Sequence, residues 1–250
     1  MDPHTGYNLW ASTYDADETG NPVLGAERAA MRDLLPPLRG RAVLDLACGT
    51  GHYALQAAQA GARRVVGADL SMGMLHQARD KVGHCWPLVL LVQADQACLP
   101  FGTRTFDVVI HAVGMGYAPD LRPVTAELAR VLRPGGVAFV SDLHPQGVRQ
   151  GWRRTFVHRA GAVRRQVDLR TYAHRLQDYH AAFEQAGLSI IRIIEPQIDE
   201  TTRPFFAAAG ALERYERYWG HPLLVIFELR RVGRIGNSSH GQFPEGPNAD

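Results

Sequence analysis

The sequence predicts an α/β fold in which parallel strands form one doubly wound sheet covered by helices on both faces. Short apolar runs suited to buried strands alternate with segments of helical periodicity between residues 42 and 141. An acid follows each of three successive runs, at Asp45, Asp69 and Asp95. Because the carboxyl ends of parallel strands meet at one edge of a sheet, we expect these carboxylates to face a common crevice.

The first 38 residues precede the sheet and carry an aromatic segment. Tyr7, Trp10 and Tyr14 lie among small and polar residues. We expect a helical flap over a ligand; the alternative is that these rings only cover an exposed flank of the core. Residues 27–35 have apolar positions at helical spacing and end before two prolines, which predicts a helix.

Residues 41–54, RAVLDLACGTGHYA, form the central motif. A buried strand around Val43, a glycine turn at 49–51 and a helix from His52 make a strand–turn–helix corner. Glycines let the backbone approach a ligand closely, and the helix N-terminus offers unpaired N–H groups. Asp45 ends the strand, and a core strand does not accommodate an ionised carboxylate unless something pairs with it.

The other elements follow from periodicity, caps and breakers. We predict strands at 64–69, 87–92, 106–110, 137–141, 190–194 and 223–229. We predict helices at 72–81, 121–132, 172–186 and 204–218. Ser71 is the expected N-cap of the helix at 72–81, and Gly187 is the expected C-cap of the helix at 172–186. The Arg-Pro-Gly-Gly run at 133–136 is expected to end the helix at 121–132.

Residues 145–171 interrupt the alternation after the fifth strand. Runs at 156–158 and 163–167 flank Ala160-Gly161, which predicts a hairpin, and we expect this insertion to be a substrate lid. Its arginines could form a basic patch for RNA, but no aromatic-interleaved stripe accompanies them. A solvated hairpin, or selection of an acidic substrate, is favoured instead. The tail at 233–250 has few apolar residues and is expected to be disordered.

Composition excludes several classes of protein. A net charge of +2 indicates no particular polyanionic partner, and no apolar run approaches the roughly 18 residues of a membrane span. The N-terminus lacks an export signal, so we expect a cytoplasmic protein. Three cysteines without a C-x-x-C pair predict neither a disulfide framework nor a metal site. With no linker or internal repeat, we expect a single domain over residues 1–232.

Asp45 bears on which nucleotide the corner holds. Residues 49–54 formally fit the dinucleotide fingerprint, with Asp69 at the distance of a ribose-binding acid, so an NAD-dependent oxidoreductase stays open. A pyrophosphate beside Asp45 would be repelled, whereas an ammonium group would be attracted. S-adenosylmethionine has an ammonium group, a ribose diol for Asp69 and an adenine amine for Asp95.

An ordered set of motifs carries a family resemblance over residues 7–145. VLDLACGTG resembles motif I of the class I S-adenosylmethionine-dependent methyltransferases, and VGADLSMGML, ADQACLPF, FDVVIH and RVLRPGG resemble its later motifs in order. YNLWASTYD is similar to the segment that opens many small-molecule members. The resemblance implies a Rossmann-like, seven-stranded sheet whose last strand is antiparallel.

The resemblance also implies the cofactor contacts. Those expected are Tyr7, Tyr14, Asp45, Ala47, Gly49, Gly51, Asp69, Leu70, Met74, Asp95, Gln96 and His111. The first two would close the site from the flap, and His111 would lie behind the sulfonium. Related chains often have histidine before the tyrosine of the loop after strand four, where this chain has Gly116-Tyr117. A catalytic role for that histidine therefore does not transfer.

Methyl transfer from a sulfonium is an in-line displacement that needs no metal. Alignment and desolvation can supply about 7–11 kcal/mol of the rate enhancement. A base helps only a nucleophile with a tightly held proton. His144, after strand five, is the candidate base, and Tyr14 is a catalytic candidate on the flap. The alternative is that His144 only shapes the pocket or caps a turn.

We favour a small metabolite of secondary or cofactor metabolism as acceptor, methylated on nitrogen or oxygen. The N-P-P-Y and D-P-P-Y patterns typical of nucleobase and glutamine amino methylation are absent. Carbon methylation of a small molecule and RNA methylation remain alternatives, as does a non-catalytic S-adenosylmethionine-binding partner of another enzyme. We expect a monomer or homodimer.

Overall fold

The computed structural model describes residues 1–160 and 163–232; the predicted tail at 233–250 and the hairpin's tip lie outside the described residues. The helices are α1 Pro3–Trp10, α2 Tyr14–Glu18, α3 Pro22–Leu34, α4 His52–Gln59, α5 Met72–Val82, α6 Leu121–Val131, α7 Pro145–Arg149, α8 Leu176–Gln185, α9 Arg203–Ala208 and α10 Leu212–Arg217. The strands are β1 Ala42–Leu46, β2 Arg64–Asp69, β3 Val89–Gln93, β4 Phe106–Ala112, β5 Leu132–Leu143, β6 Thr155–Ala160, β7 Val163–Asp168, β8 Leu188–Ile194 and β9 Leu224–Arg231. Within the described ranges, none of these helices has both the length and the apolar character to cross a membrane.

Seven strands form one mixed sheet in the order β3-β2-β1-β4-β5-β9-β8. Strands β1 to β5 pair in parallel, and β9 runs antiparallel to both β5 and β8. The predicted doubly wound fold with an antiparallel last strand is confirmed. The strand order reverses between β1 and β4, and ligands of such sheets bind outside the carboxyl ends of the strands at this switch point.

Helices cover both faces of this sheet, as the alternation predicts. On one face, Leu128 of α6 and Phe183 of α8 pack around Phe227 of β9. On the other, the side chains of α3, α4 and α5 pack against β1, with Val43 fully buried. All five residues of β1 are buried, so its carboxyl end is held rigidly at the centre of the molecule.

Several predicted boundaries are wrong for local reasons. Helix α3 begins at Pro22 because the Asn21 side chain accepts hydrogen bonds from Val23 and Leu24 N–H, a cap that the prediction overlooked. Residues 133–136 belong to β5, whose register shifts there against β4. The predicted helix at 204–218 divides into α9 and α10 because Gly210 has φ +62°.

The insertion after β5 forms a separate hairpin of β6 and β7, which confirms the predicted hairpin. It packs against the N-terminal helices through a cluster that includes Trp10, Phe156 and Leu169. The rings of Trp10 and Phe156 stack with their centroids 4.7 Å apart. Burying an aromatic ring of this size contributes about 1.5–3 kcal/mol, so this cluster fixes the flap to the hairpin.

Candidate functional site

A cavity of about 440 Å³ lies at the carboxyl edge of β1, β2 and β4. All the predicted cofactor contacts except Gly51 and His111 line it, and so do residues that the sequence did not single out. Two groups of lining residues dominate its chemistry. The acidic wall comprises Glu27, Asp45 and Asp69, and the donor wall comprises Tyr7, Tyr14, Tyr117 and Arg154.

Asp69, at the end of β2, fixes the glycine turn. Its Oδ2 accepts from Gly49 N–H and its Oδ1 from Ser71 N–H, each at 2.8 Å. Burial raises the pKa of this carboxyl, and the backbone donors oppose that shift. Each carboxylate oxygen retains a second lone pair, so Asp69 can still accept from ligand hydroxyls.

Asp45 is 1% exposed at the end of β1. Its Oδ2 accepts from Ala54 N–H at 2.8 Å, in the first turn of α4. Burial, together with the neighbouring Asp69 and Glu27, raises the pKa of Asp45 to about 8 against the opposing effect of the Ala54 N–H bond. No basic side chain of the described ranges forms an ion pair with it, so a cationic ligand bound here would stabilise its ionised form.

Glu27 of α3 completes the acidic wall. It accepts hydrogen bonds from the Tyr53 hydroxyl at 2.6 Å and from the Ser141 hydroxyl at 2.8 Å. Burial raises the pKa of this carboxyl. A signal was available in the sequence, because Glu27 shares a helical face with the apolar Leu24 and Met31, where an acid is out of place.

The far end of the cavity follows β3. Asp95 accepts from Ala97 N–H at 2.8 Å and is exposed, which leaves its other oxygen free for a ligand. The Gln96 side chain is held by His111, whose Nε2 lies 2.7 Å from Gln96 Oε1. Leu70 and Met74 supply an apolar surface beside this edge.

Two predicted cofactor contacts lie outside the cavity lining. His111 is fully buried behind Gly114, and a Cβ on Gly114 would come within 2.6 Å of the imidazole. Burial lowers the pKa of His111 to about 4, so its ring is neutral at pH 7. Gly51 has φ +79°, and an added Cβ would lie 3.2 Å from Ala78 Cβ. Its position permits close packing of α4 on α5, and Gly51 is not among the residues that line the cavity.

The structure does not bring His144, the candidate base, to the cavity. Its Nδ1 accepts from Gln146 N–H at 3.2 Å, as the N-cap of α7. Its Nε2 lies 2.8 Å from Glu195 Oε1, so both ring nitrogens are engaged. This placement supports the alternative interpretation, a histidine that caps a turn.

Arg154 joins the hairpin to the flap at the donor wall. Its Nη2 lies 2.8 Å from Glu18 Oε2 and 3.2 Å from the Tyr14 hydroxyl, with both charged residues buried. The guanidinium carbon lies 5.3 Å from the centre of the Trp10 ring. Sequence reasoning treated this arginine as part of a solvated run, although two-residue alternation places it on the same buried face as Phe156.

The flap is also tied to the glycine turn. Asp15 accepts from the Thr50 hydroxyl at 2.7 Å and pairs with Lys81 Nζ at 2.8 Å. Partial burial raises the pKa of the Asp15 carboxyl. The hydrogen bonds from Lys81 and Thr50 outweigh this effect and hold that pKa below its usual value. Asn8 Oδ1 accepts from Gly73 N–H at 2.8 Å, which fixes α1 to the start of α5.

Comparison with known proteins agrees with this geometry. Residues 43–136 match a family model described as a methyltransferase domain. The methyltransferase GfsG of Streptomyces halstedii is 32% identical over 167 residues, 66% of this chain and 58% of that protein. The biotin biosynthesis bifunctional protein BioHC of Saccharophagus degradans is 39% identical over 119 residues, 46% of this chain and 21% of that protein. The match to each curated relative therefore covers less than two thirds of its length.

The fold is likewise found among solved structures. An S-adenosylmethionine dependent methyltransferase from Mesorhizobium loti superposes with a TM-score of 0.65 at 23% identity, covering 82% of this chain and 98% of that one. The sheet order is thus that of a known S-adenosylmethionine dependent methyltransferase, and the glycine corner lies within the matched methyltransferase domain.

Proposed function

We propose that the protein transfers the methyl group of S-adenosylmethionine to a nitrogen or oxygen nucleophile of a small metabolite. The observation that carries this proposal is the acidic wall at the switch point of the sheet, in which Glu27 and Asp45 are buried and Asp69 is half-buried. S-adenosylmethionine presents an ammonium and a sulfonium, and buried carboxylates stabilise such charges. The similarity to GfsG, a methyltransferase, and to BioHC, a biotin biosynthesis protein, supports a biosynthetic setting.

The residues present fit this cofactor. Asp45 and the backbone at Ala47 and Gly49, both in left-handed conformations, would hold the methionine part. Asp69 would accept from the ribose hydroxyls, and Asp95 from the adenine amine. When bound, the cofactor supplies an electrophilic methyl group.

The same contacts disfavour a dinucleotide. A pyrophosphate at such a corner needs free backbone N–H groups. Gly49 N–H already donates to Asp69, and Gly51 N–H donates to the Cys48 carbonyl at 2.8 Å. Those carboxylates of the acidic wall that are ionised would in addition repel the phosphates, so an NAD-dependent oxidoreductase is the weaker candidate.

The chain's own contribution is to position the acceptor and to exclude water. Helices α1 and α2, fixed by Asp15 and Asn8, place Tyr7 and Tyr14 over the cavity. Burial raises the pKa of the Tyr14 hydroxyl, so Tyr14 donates hydrogen bonds and does not act as a base at neutral pH. Proximity and desolvation therefore supply most of the rate enhancement under this proposal.

His144→Ala tests whether a base is needed there. The variant should lose the cap of α7, which costs about 0.5–2 kcal/mol of unfolding free energy, while turnover stays within about tenfold of wild type. Denaturant unfolding and initial rates measure the two effects. A loss of turnover of 10²–10⁴-fold, the size typical of a missing base, would contradict the capping role.

Cofactor binding should depend on the protonation of Asp45. With a pKa of about 8, Asp45 is mostly protonated at pH 7 in the free protein. A ligand ammonium favours the carboxylate and lowers that pKa, so binding releases a proton below pH 8. Affinity for S-adenosylhomocysteine should therefore rise between pH 6 and 8, by at most about tenfold per unit.

Calorimetry in buffers of different ionisation enthalpy measures this proton release. Asp45→Asn should abolish it and flatten the dependence of affinity on pH. If wild type and Asp45→Asn show the same pH dependence, Asp45 does not meet the ammonium.

Methyl transfer itself is tested with methyl-labelled S-adenosylmethionine and a fractionated cell extract. We expect label in the low-mass organic fraction. Chemical degradation of the labelled compound should show that the methyl group is bound to nitrogen or oxygen. Label in the RNA fraction, or on carbon, would favour an alternative acceptor. Cofactor binding without label in any fraction would favour a non-catalytic S-adenosylmethionine-binding partner.

A further inference from the structure

Two residues of the donor wall, Tyr117 and Arg154, line the cavity but are not among the expected cofactor contacts. Tyr117 follows β4 in the turn Met115–Tyr117, and Arg154 precedes β6. We propose, on the basis of the methyl transfer proposed above, that Tyr117 and Arg154 bind a carboxylate group of the methyl acceptor, away from the atom that is methylated. The acceptor is then a small carboxylic acid that carries its nucleophile elsewhere.

The first observation is a pair of hydroxyls. Tyr7 Oη and Tyr117 Oη lie 2.6 Å apart at the cavity, so one proton fills the bond between them. The other hydroxyl proton is left to donate to a ligand. Burial raises the pKa of both tyrosines, so both remain protonated near neutral pH.

The second observation is the state of Arg154. Its side chain lines the cavity and is 7% exposed, yet its Nε is buried and bonds to none of the residues in 1–160 and 163–232. The bonds to Glu18 and Tyr14 use Nη2. The guanidinium therefore has donor capacity that these two bonds do not use, and a ligand oxygen in the cavity that Arg154 lines can accept from it.

The balance of donors and acceptors selects an anion. Glu18 is the carboxylate beside Arg154, and its Oε2 already accepts from Arg154 and from Asn21. Glu18 is also not among the residues that line the cavity, so a ligand amine would not meet its carboxylate, whereas a ligand carboxylate meets N–H and O–H donors. Charge-assisted bonds of this kind are about twice as strong as neutral ones.

The test uses the full chain saturated with S-adenosylhomocysteine. Binding of benzoate, phenylacetate and 4-hydroxybenzoate is compared with that of the corresponding primary amides by calorimetry. We expect at least one carboxylate to bind about tenfold or more tightly than its amide. Tyr117→Phe, which keeps the ring and removes the donor, should abolish most of that preference while S-adenosylhomocysteine affinity stays the same.

Tyr218→Phe is the matched control, since Tyr218 packs on Trp152 and does not line the cavity. It should leave the preference intact. The inference is overturned if no carboxylate binds better than its amide, or if Tyr117→Phe and Tyr218→Phe behave alike. Failure of S-adenosylhomocysteine itself to bind would instead overturn the proposed function, and this inference with it.

Discussion

Replacing Asp69 by alanine is expected to weaken S-adenosylhomocysteine binding by at least about 1.5–3 kcal/mol, or roughly ten- to 150-fold. The structure gives two reasons. Asp69 lines the cavity with acceptor capacity left for ribose hydroxyls, and it also holds the glycine turn through Gly49 N–H at 2.8 Å. Removing the carboxylate therefore loses ligand bonds and loosens the turn that approaches the ligand. Calorimetric titration measures the change.

Two further variants serve as controls for this loss of S-adenosylhomocysteine affinity. Asp69→Asn keeps one acceptor oxygen and should recover part of the affinity. Asp80→Ala removes an exposed acid from α5, 69% accessible at its side chain, and should bind as wild type does. Unchanged affinity in a folded Asp69→Ala protein would place the ribose elsewhere.

Replacing Arg154 by methionine is expected to lower the free energy of unfolding by about 3–5 kcal/mol, because it leaves the Glu18 carboxylate buried without its partner. The Arg154–Glu18 bond of 2.8 Å also joins the hairpin to the flap, so its loss should expose both to protease. Denaturant unfolding measures the free energy, and limited proteolysis reports the local opening.

The double variant Arg154→Met with Glu18→Gln should recover much of the loss, since no buried charge is then left unpaired. Arg153→Met is the matched control, because Arg153 is exposed and bonds only to carbonyl oxygens. A similar small effect of Arg153→Met and Arg154→Met would show that the buried pair contributes little.

The sheet could be predicted because its signals are local. The apolar run before Asp45, the glycines after it and the acid at Asp69 each report on a few neighbouring residues. Their meeting at one edge then follows from parallel pairing, which holds the ends of β1 and β2 side by side. The same parallel pairing predicts Asp95 at this edge, and Asp95 lines the cavity.

The donor wall and Glu27 could not be predicted in the same way. Arg154 meets Glu18 across 136 positions of sequence, and Ser141 meets Glu27 across 114. Nothing local indicates such pairings. For His144 the sequence signal was misleading. Its position after β5 suggested a catalytic base, but its two ring nitrogens are engaged by Gln146 and Glu195.

Titration of the full chain with S-adenosylhomocysteine and, separately, with NAD decides whether the cavity is a site for S-adenosylmethionine. The acidic wall predicts binding of S-adenosylhomocysteine with a Kd on the order of micromolar and no measurable binding of NAD. Tight binding of NAD with no binding of S-adenosylhomocysteine would show that the cavity is a dinucleotide site and not a site for S-adenosylmethionine.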